Sequence, residues 1–165
     1  MALKHSYGLL APFYDLLVAG PLTDARQRSL RRLGDVNGQS ILVNGIGSGL
    51  DIPWLPAGAH YTGSDITPAM LRKAVRLKQA SSLSIELVEA DSMSLPFADK
   101  SFDHVIMHLI LAVVPQPEMA LQEACRVLRP GGNIYILDKF LKPGERAMLR
   151  RTINMLLRHV ATRTD

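Results

Sequence analysis

The stretch Ile41-Leu42-Val43-Asn44-Gly45-Ile46-Gly47-Ser48-Gly49-Leu50 constrains this chain more than any other, because an apolar run breaks there into glycines at alternate positions. Such a run reads as a buried parallel strand. Glycines directly after it let the backbone turn sharply and approach a ligand with no Cβ in the way. Asp65 follows Gly45 by 20 residues, at the end of a second segment, His60-Tyr61-Thr62-Gly63-Ser64-Asp65. A glycine loop and then an acid, one strand further on, is the layout that holds a nucleoside ribose. A dinucleotide fingerprint requires Gly-x-Gly-x-x-Gly, with its third glycine at position 50, where this chain has Leu50.

Strand-like and helix-like segments alternate along the rest of the chain, which predicts an α/β domain with a parallel sheet. Expected strands are about Ser40–Asn44, His60–Ser64, Ile85–Glu89, Asp103–Met107 and Asn133–Leu137. A helix is expected from about Pro21 to Leu33, with Leu22, Ala25, Leu30 and Leu33 on a core stripe and Arg26, Arg28, Arg31 and Arg32 facing elsewhere. Thr67 caps a further helix that has Pro68 at its first position and runs to about Ala80. Another runs from about Pro117 to Leu128 and ends in the turn Arg129-Pro130-Gly131-Gly132.

The chain has 165 residues, enough for one domain that buries roughly two-thirds of its unfolded surface. Its single cysteine, Cys125, excludes an internal disulfide and a thiolate zinc site, and the scattered histidines suggest no metal cluster. That fits a reducing cytoplasm. The net charge of +4 is concentrated at one end. Residues 1–138 carry 12 Lys/Arg against 13 Asp/Glu, whereas residues 139–165 carry seven against two. This last segment reads as a basic helix, with Leu149, Ile153, Leu156 and Val160 on one face. It is expected either to meet an anionic membrane surface or to be a plain solvated face. No run reaches the roughly 18 apolar residues of a membrane span. The apolar stretch Leu9–Val18 is interrupted by Pro12 and Asp15 and is not read as a secretory signal.

Four separated signatures occur in one order: Gly45-Ile-Gly-Ser-Gly49; Thr62-Gly-Ser-Asp65-Ile-Thr-Pro-Ala-Met70-Leu71; Asp91-Ser92-Met93-Ser-Leu-Pro-Phe-Ala-Asp-Lys-Ser-Phe-Asp103; and Glu123-Ala-Cys-Arg-Val-Leu-Arg-Pro-Gly-Gly132. Together they resemble the class I S-adenosylmethionine-dependent methyltransferases of the ubiquinone/menaquinone C-methyltransferase-like group. The likeness covers about residues 7–142 and is greatest to bacterial phosphatidylethanolamine N-methyltransferases. It implies a Rossmann-like, doubly wound, mostly parallel sheet of strand order 3-2-1-4-5. The domain then divides into an N-terminal helical lid (1–33), a cofactor-binding core (40–138) and the basic C-terminal helix (139–165).

The resemblance also implies residue roles. Gly45, Ile46, Gly47 and Gly49 would approach the methionine and ribose of S-adenosylmethionine. Asp65 would accept from the ribose hydroxyls, with Met70 nearby, and Ile66 and Met93 would sandwich the adenine. Asp91 would accept from the adenine amino group beside the Ser92 backbone, or would simply shape a turn. Relatives carry an acid two residues before the first glycine, where this chain has Val43. Asp51 either supplies that carboxylate or caps the following turn. His108, the titratable side chain in the run Met107–Val114, is the candidate for contacting the cofactor and for orienting or deprotonating an acceptor. Its alternative is a strand-end histidine bonded to backbone. Tyr14, with Tyr7, resembles part of a lid whose aromatic faces suit a sulfonium or a methylated ammonium.

The apolar N-terminal segment, the Leu/Val-rich wall and the basic tail together favour a hydrophobic or lipid acceptor, including the amine of phosphatidylethanolamine. The alternative is C- or O-methylation of a quinone-like or other small metabolite. A cytoplasmic protein, peripheral at the inner membrane face, fits either acceptor. Nucleic acid is not an expected substrate, since His108-Leu109-Ile110-Leu111 stands where relatives acting on base amino groups carry an Asn/Asp-Pro-Pro-Tyr-type motif. The hairpin that follows the last helix in this fold has no counterpart after Ile153. Strand five would therefore keep an open edge, which predicts a truncated form, a homodimer through that edge, or a non-catalytic binding protein.

Overall fold

The computed structural model describes residues 22–138. The expectations for the lid, Tyr7, Tyr14 and the basic tail lie outside these residues. Five strands form one parallel sheet: β1 (Ser40–Asn44), β2 (His60–Asp65), β3 (Ser84–Glu89), β4 (Phe102–His108) and β5 (Leu128–Leu137). Their order is β3-β2-β1-β4-β5, as the resemblance implies. The direction of winding reverses between β1 and β4, which opens a crevice at their carboxyl ends.

Side-chain alternation along the strands divides the core into two layers. Ile41, Val43 and Ile106 pack with Leu30, Leu33 and Ala74 on one face. Leu42, Val105 and Met107 pack with Ala120, Ala124 and Val127 on the other. The first face is covered by helix α1 (described over residues 22–30) and helix α2 (Pro68–Gln79), and the second by helix α3 (Pro117–Val127). Ala120, Ala124 and Val127 recur at helical spacing, and two of the three are small, so α3 lies close against the sheet.

Two expectations need correction. Arg26 does not face away from the core; it is only 8% exposed. Its reach into the interior is made possible by a buried carboxylate, Asp51. The fifth strand also begins earlier than the glycine-rich turn suggests. Leu128 already pairs with Phe102, and Asn133 pairs with His104, so Arg129–Gly132 bulge out opposite Asp103. At Gly132 a Cβ would lie 2.2 Å from the Asp103 carbonyl oxygen, which is why the close approach there uses glycine.

Candidate active site

The glycine loop leaves β1 at the point where the winding reverses. Gly45, Gly47 and Gly49 all have positive φ. The amides of Gly45 and Ile46 both donate to the Ser64 carbonyl, which anchors the loop to β2. A Cβ on Gly45 would sit 2.7 Å from the Ile110 side chain, so the wall beyond β4 packs directly on the loop. Above Gly47 there is open space, since a Cβ there would meet nothing within 4 Å. A small polar ligand can therefore approach this backbone closely.

Asp65 ends β2 beside that opening. Its Oδ2 accepts from the Gly47 amide at 3.0 Å and its Oδ1 from the Thr67 amide at 2.8 Å. Burial pushes its carboxyl above the ordinary aspartate range, and the bonds from Thr67 and Gly47 only partly offset this. Thr67 occupies the N-cap of α2 but makes no side-chain capping bond. Ile66 beside it is 41% exposed, an apolar residue left on the surface. On the far side of the opening, Asp91 Oδ1 accepts from the Met93 amide at 2.8 Å, so the turn role is realised there. Met93 is half-buried, whereas Ser92 and Met70 are buried, Met70 in the first turn of α2. The glycines, Asp65, Ile66 and Met93 thus surround one opening with backbone amides, a carboxylate and two apolar flanks. That donor set fits an adenosyl sulfonium.

Asp51 and His108 meet in a second cluster under the same loop. Asp51 Oδ1 receives Arg26 Nη1 at 2.7 Å and His108 Nδ1 at 3.0 Å. His108 Nε2 lies 2.9 Å from Ser29 Oγ. A carboxylate can only accept, so Nδ1 carries a proton, and in the neutral ring Nε2 accepts from Ser29. Burial raises the Asp51 carboxyl, but His108 and Arg26 together hold it below the ordinary range. The partners of His108 are therefore side chains of α1 and of the turn after Gly49, not backbone. Asp51 precedes the 3-10 turn Ile52–Trp54 without a side-chain capping bond, and its carboxylate serves Arg26 and His108 instead. The order Ser29–His108–Asp51 is that of a nucleophile relay, but its setting opposes one. Ser29 lies in the last turn of α1, where helix carbonyls disfavour negative charge, and Arg26 already neutralises the acid.

Sequence reasoning missed three parts of this site. Arg26 and Ser29 are two of them; the third is a clasp made by the fourth signature. Arg126 donates to Glu123, to Asp99 and to the carbonyls of Leu95 and Phe97, while Glu123 accepts from the Leu95 amide. Those two residues fasten the segment after Met93 to α3. Beyond β4, Leu109 holds a left-handed φ of 61° while only 7% exposed. Among the described residues there is no group of three or more metal-ligating side chains. None of their helices is long and apolar enough to cross a membrane.

This fold and crevice define a nucleoside-binding α/β domain. A family profile described as "Methyltransferase domain" matches residues 42–136, and the chain belongs to that family of S-adenosylmethionine-dependent methyltransferases. It is 31% identical over 143 residues to a phosphatidylethanolamine N-methyltransferase of Cereibacter sphaeroides, covering 86% of this chain and 70% of the relative. It is 32% identical over 171 aligned residues to a demethylmenaquinone methyltransferase of Tropheryma whipplei, covering 97% and 70%. In structure it is similar to Haemonchus contortus phosphoethanolamine N-methyltransferase 2, solved with S-adenosyl-L-methionine, at a TM-score of 0.69 and 20% identity. That similarity, which covers 82% of this chain and 32% of the other, supports the fold alone.

Proposed function

We propose that this chain methylates a hydrophobic acceptor held against the segment Leu109–Val114, with the amine of a lipid such as phosphatidylethanolamine as the first candidate. The observation that carries this reading is the contact between that segment and the glycine loop, where Ile110 fills the space a Cβ on Gly45 would need. An acceptor lying on Leu109, Ile110, Leu111, Val113 and Val114 would meet the methyl donor beside an apolar surface. When bound, S-adenosylmethionine supplies an electrophilic methyl on a sulfonium. The residues here contribute binding, orientation and exclusion of water.

In this reading the 45–49 amides and Asp65 hold the methionine and ribose, and Ile66 and Met93 flank the adenine. Asp91 accepts from its amino group with the Ser92 backbone alongside. His108 acts as a positioning residue, because both ring nitrogens are engaged and it is 4% exposed. Asp51 supports the loop in place of the acid missing at Val43. Tyr14, outside the described residues, closes over the sulfonium. The basic segment 139–165 brings the protein to an anionic membrane face, and the β5 edge is a candidate for pairing with a second copy.

A second reading, methylation of a quinone-like carbon or oxygen, is favoured by the 32% identity to a demethylmenaquinone methyltransferase across 97% of this chain. Mass spectrometry of lipid extracts incubated with the protein and methyl-labelled cofactor separates the two. Label in N-methylated phosphatidylethanolamine supports the first reading. Label confined to quinones supports the second, and no labelled product from either pool overturns both.

A further inference from the structure

A buried polar group under the crevice plays no part in the chemistry above. Asn44, Ser64 and Ser92 come from the end of β1, the end of β2 and the turn after β3, and are 0%, 0% and 6% exposed. Asn44 Oδ1 accepts from Ser92 Oγ at 2.7 Å and from Ser64 Oγ at 3.3 Å. The other arm of the amide, Nδ2, is buried without a hydrogen-bond partner. Asn44 alternates with Val43 and so falls on the layer of Leu42, Val105 and Met107, where an apolar side chain would cost nothing in lost hydration. A buried amide with one arm unsatisfied breaks the local rule. Such departures concentrate where a protein needs a particular placement.

What the amide places is the 91–94 turn. Bonds inside the turn, Asp91 Oδ1 to the Met93 amide and the Asp91 carbonyl to the Ser94 amide, set its shape but not its distance from the glycine loop. On the β2 side the Ala90 amide donates to the Asp65 carbonyl. On the β1 side the tie is the Ser92 hydroxyl on Asn44, one residue before Gly45. We infer that Asn44, acting through Ser92, is a specificity-determining positioning residue that sets the Asp91 carboxylate at the height where it reads the nucleobase amino group. This inference rests on the reading of the crevice as the S-adenosylmethionine site. An adenine amino group donates to a carboxylate, whereas the carbonyl of the 6-oxo base presents a second acceptor to it. Error in the height of Asp91 therefore erodes the preference between the bases and not adhesion in general.

The test compares S-adenosylhomocysteine with its 6-oxo counterpart, S-inosylhomocysteine, by titration calorimetry. The wild-type chain should prefer the adenine compound by about a hundredfold. Ser92→Ala keeps every backbone group of the turn, and it should reduce that preference by about tenfold while leaving the inosine compound nearly unchanged. Asn44→Leu alone strands two hydroxyls and could fail to fold. The triple variant Asn44→Leu/Ser64→Ala/Ser92→Ala replaces the whole polar set, and it should keep or raise the melting temperature while losing the preference. Equal weakening of both ligands, or a triple variant that keeps the preference, overturns the inference. A folded wild-type chain that binds neither nucleoside overturns the reading of the crevice itself.

Discussion

His108 Nδ1 donates to Asp51 Oδ1 across 3.0 Å, which joins the carboxyl end of β4 to the turn that follows the glycine loop. Arg26 holds the same carboxylate oxygen from α1 at 2.7 Å. Three elements that are far apart in the chain thus meet on one buried aspartate. The loop that faces the cofactor is fixed from below by charge and hydrogen bonding, with no acid at position 43.

Breaking that pair leaves an uncompensated charge in the core. Arg26→Met is expected to destabilise the fold by about 3 kcal/mol. Adding Asp51→Asn should recover part of the loss, because the stranded charge is then removed. Urea unfolding followed by the fluorescence of Trp54, the single tryptophan of the chain, measures both variants. A loss within about 0.5 kcal/mol for Arg26→Met would show that the pair contributes little.

The same aspartate sets an acid limit. A carboxyl whose folded pKa lies below its unfolded value adds stability that is present above the unfolded value and lost as pH falls through the folded one. Asp51 is held below the ordinary 3.8, so its contribution is complete near neutrality and disappears as pH drops below that value. Stability measured from pH 6 down to pH 2 should fall less steeply in Asp51→Asn than in the wild type.

Asp65 has the opposite sign. Burial raises its carboxyl above the ordinary 3.8, so keeping it ionised costs folding free energy once pH exceeds that value. Asp65→Asn should therefore match or exceed the wild type in melting temperature at pH 7. It should also weaken S-adenosylhomocysteine binding by roughly ten- to a hundredfold through loss of a charge-assisted acceptor. Wild-type affinity should rise with pH through the elevated Asp65 pKa, and calorimetry in buffers of different ionisation heat should detect proton release on binding below it.

Two glycines of the loop separate backbone strain from crowding. At Gly47, φ is +57° and a Cβ meets nothing within 4 Å, so alanine there costs about 1 kcal/mol of left-handed strain. At Gly49 a Cβ would also lie 2.9 Å from Ile52 and 3.2 Å from the Ala74 backbone, and alanine should cost about 3 kcal/mol. Thermal unfolding should rank Gly47→Ala well above Gly49→Ala. Ligand affinity should suffer in Gly47→Ala beyond its small stability loss.

The excess of basic residues in 139–165, seven against two, predicts salt-sensitive adhesion to anionic membranes. Co-sedimentation with phosphatidylglycerol-containing vesicles should be strong at low salt, weak at about 0.5 M salt, and reduced by Arg150→Glu/Arg151→Glu. Absence of binding at low salt would remove the membrane reading.

Much of the sheet was legible because β1 and β2 are apolar runs bounded by turn residues, and the predicted limits fall within a residue of those observed. The strand order came with the family resemblance, not with the local pattern. The polar interior was harder to read, because its partners are distant in the chain. His108 lies 57 residues from Asp51 and 79 from Ser29. A signal for Arg26 was nevertheless present: Leu22, Arg26, Leu30 and Leu33 are spaced as a core stripe, and an arginine on such a stripe requires a buried acid. The Glu123–Arg126 clasp gave no comparable sign, since a pair three apart on a helix usually reads as solvated decoration.

Leu109 carries a further consequence. Its left-handed backbone costs about 1–2 kcal/mol, while its buried side chain contributes a similar amount. Exchanging it for glycine would release the first and forfeit the second, leaving the net nearly even. The rim of the acceptor wall can thus be reshaped across generations at almost constant robustness. A fold of this kind has in that hinge an inexpensive route from one greasy substrate to another.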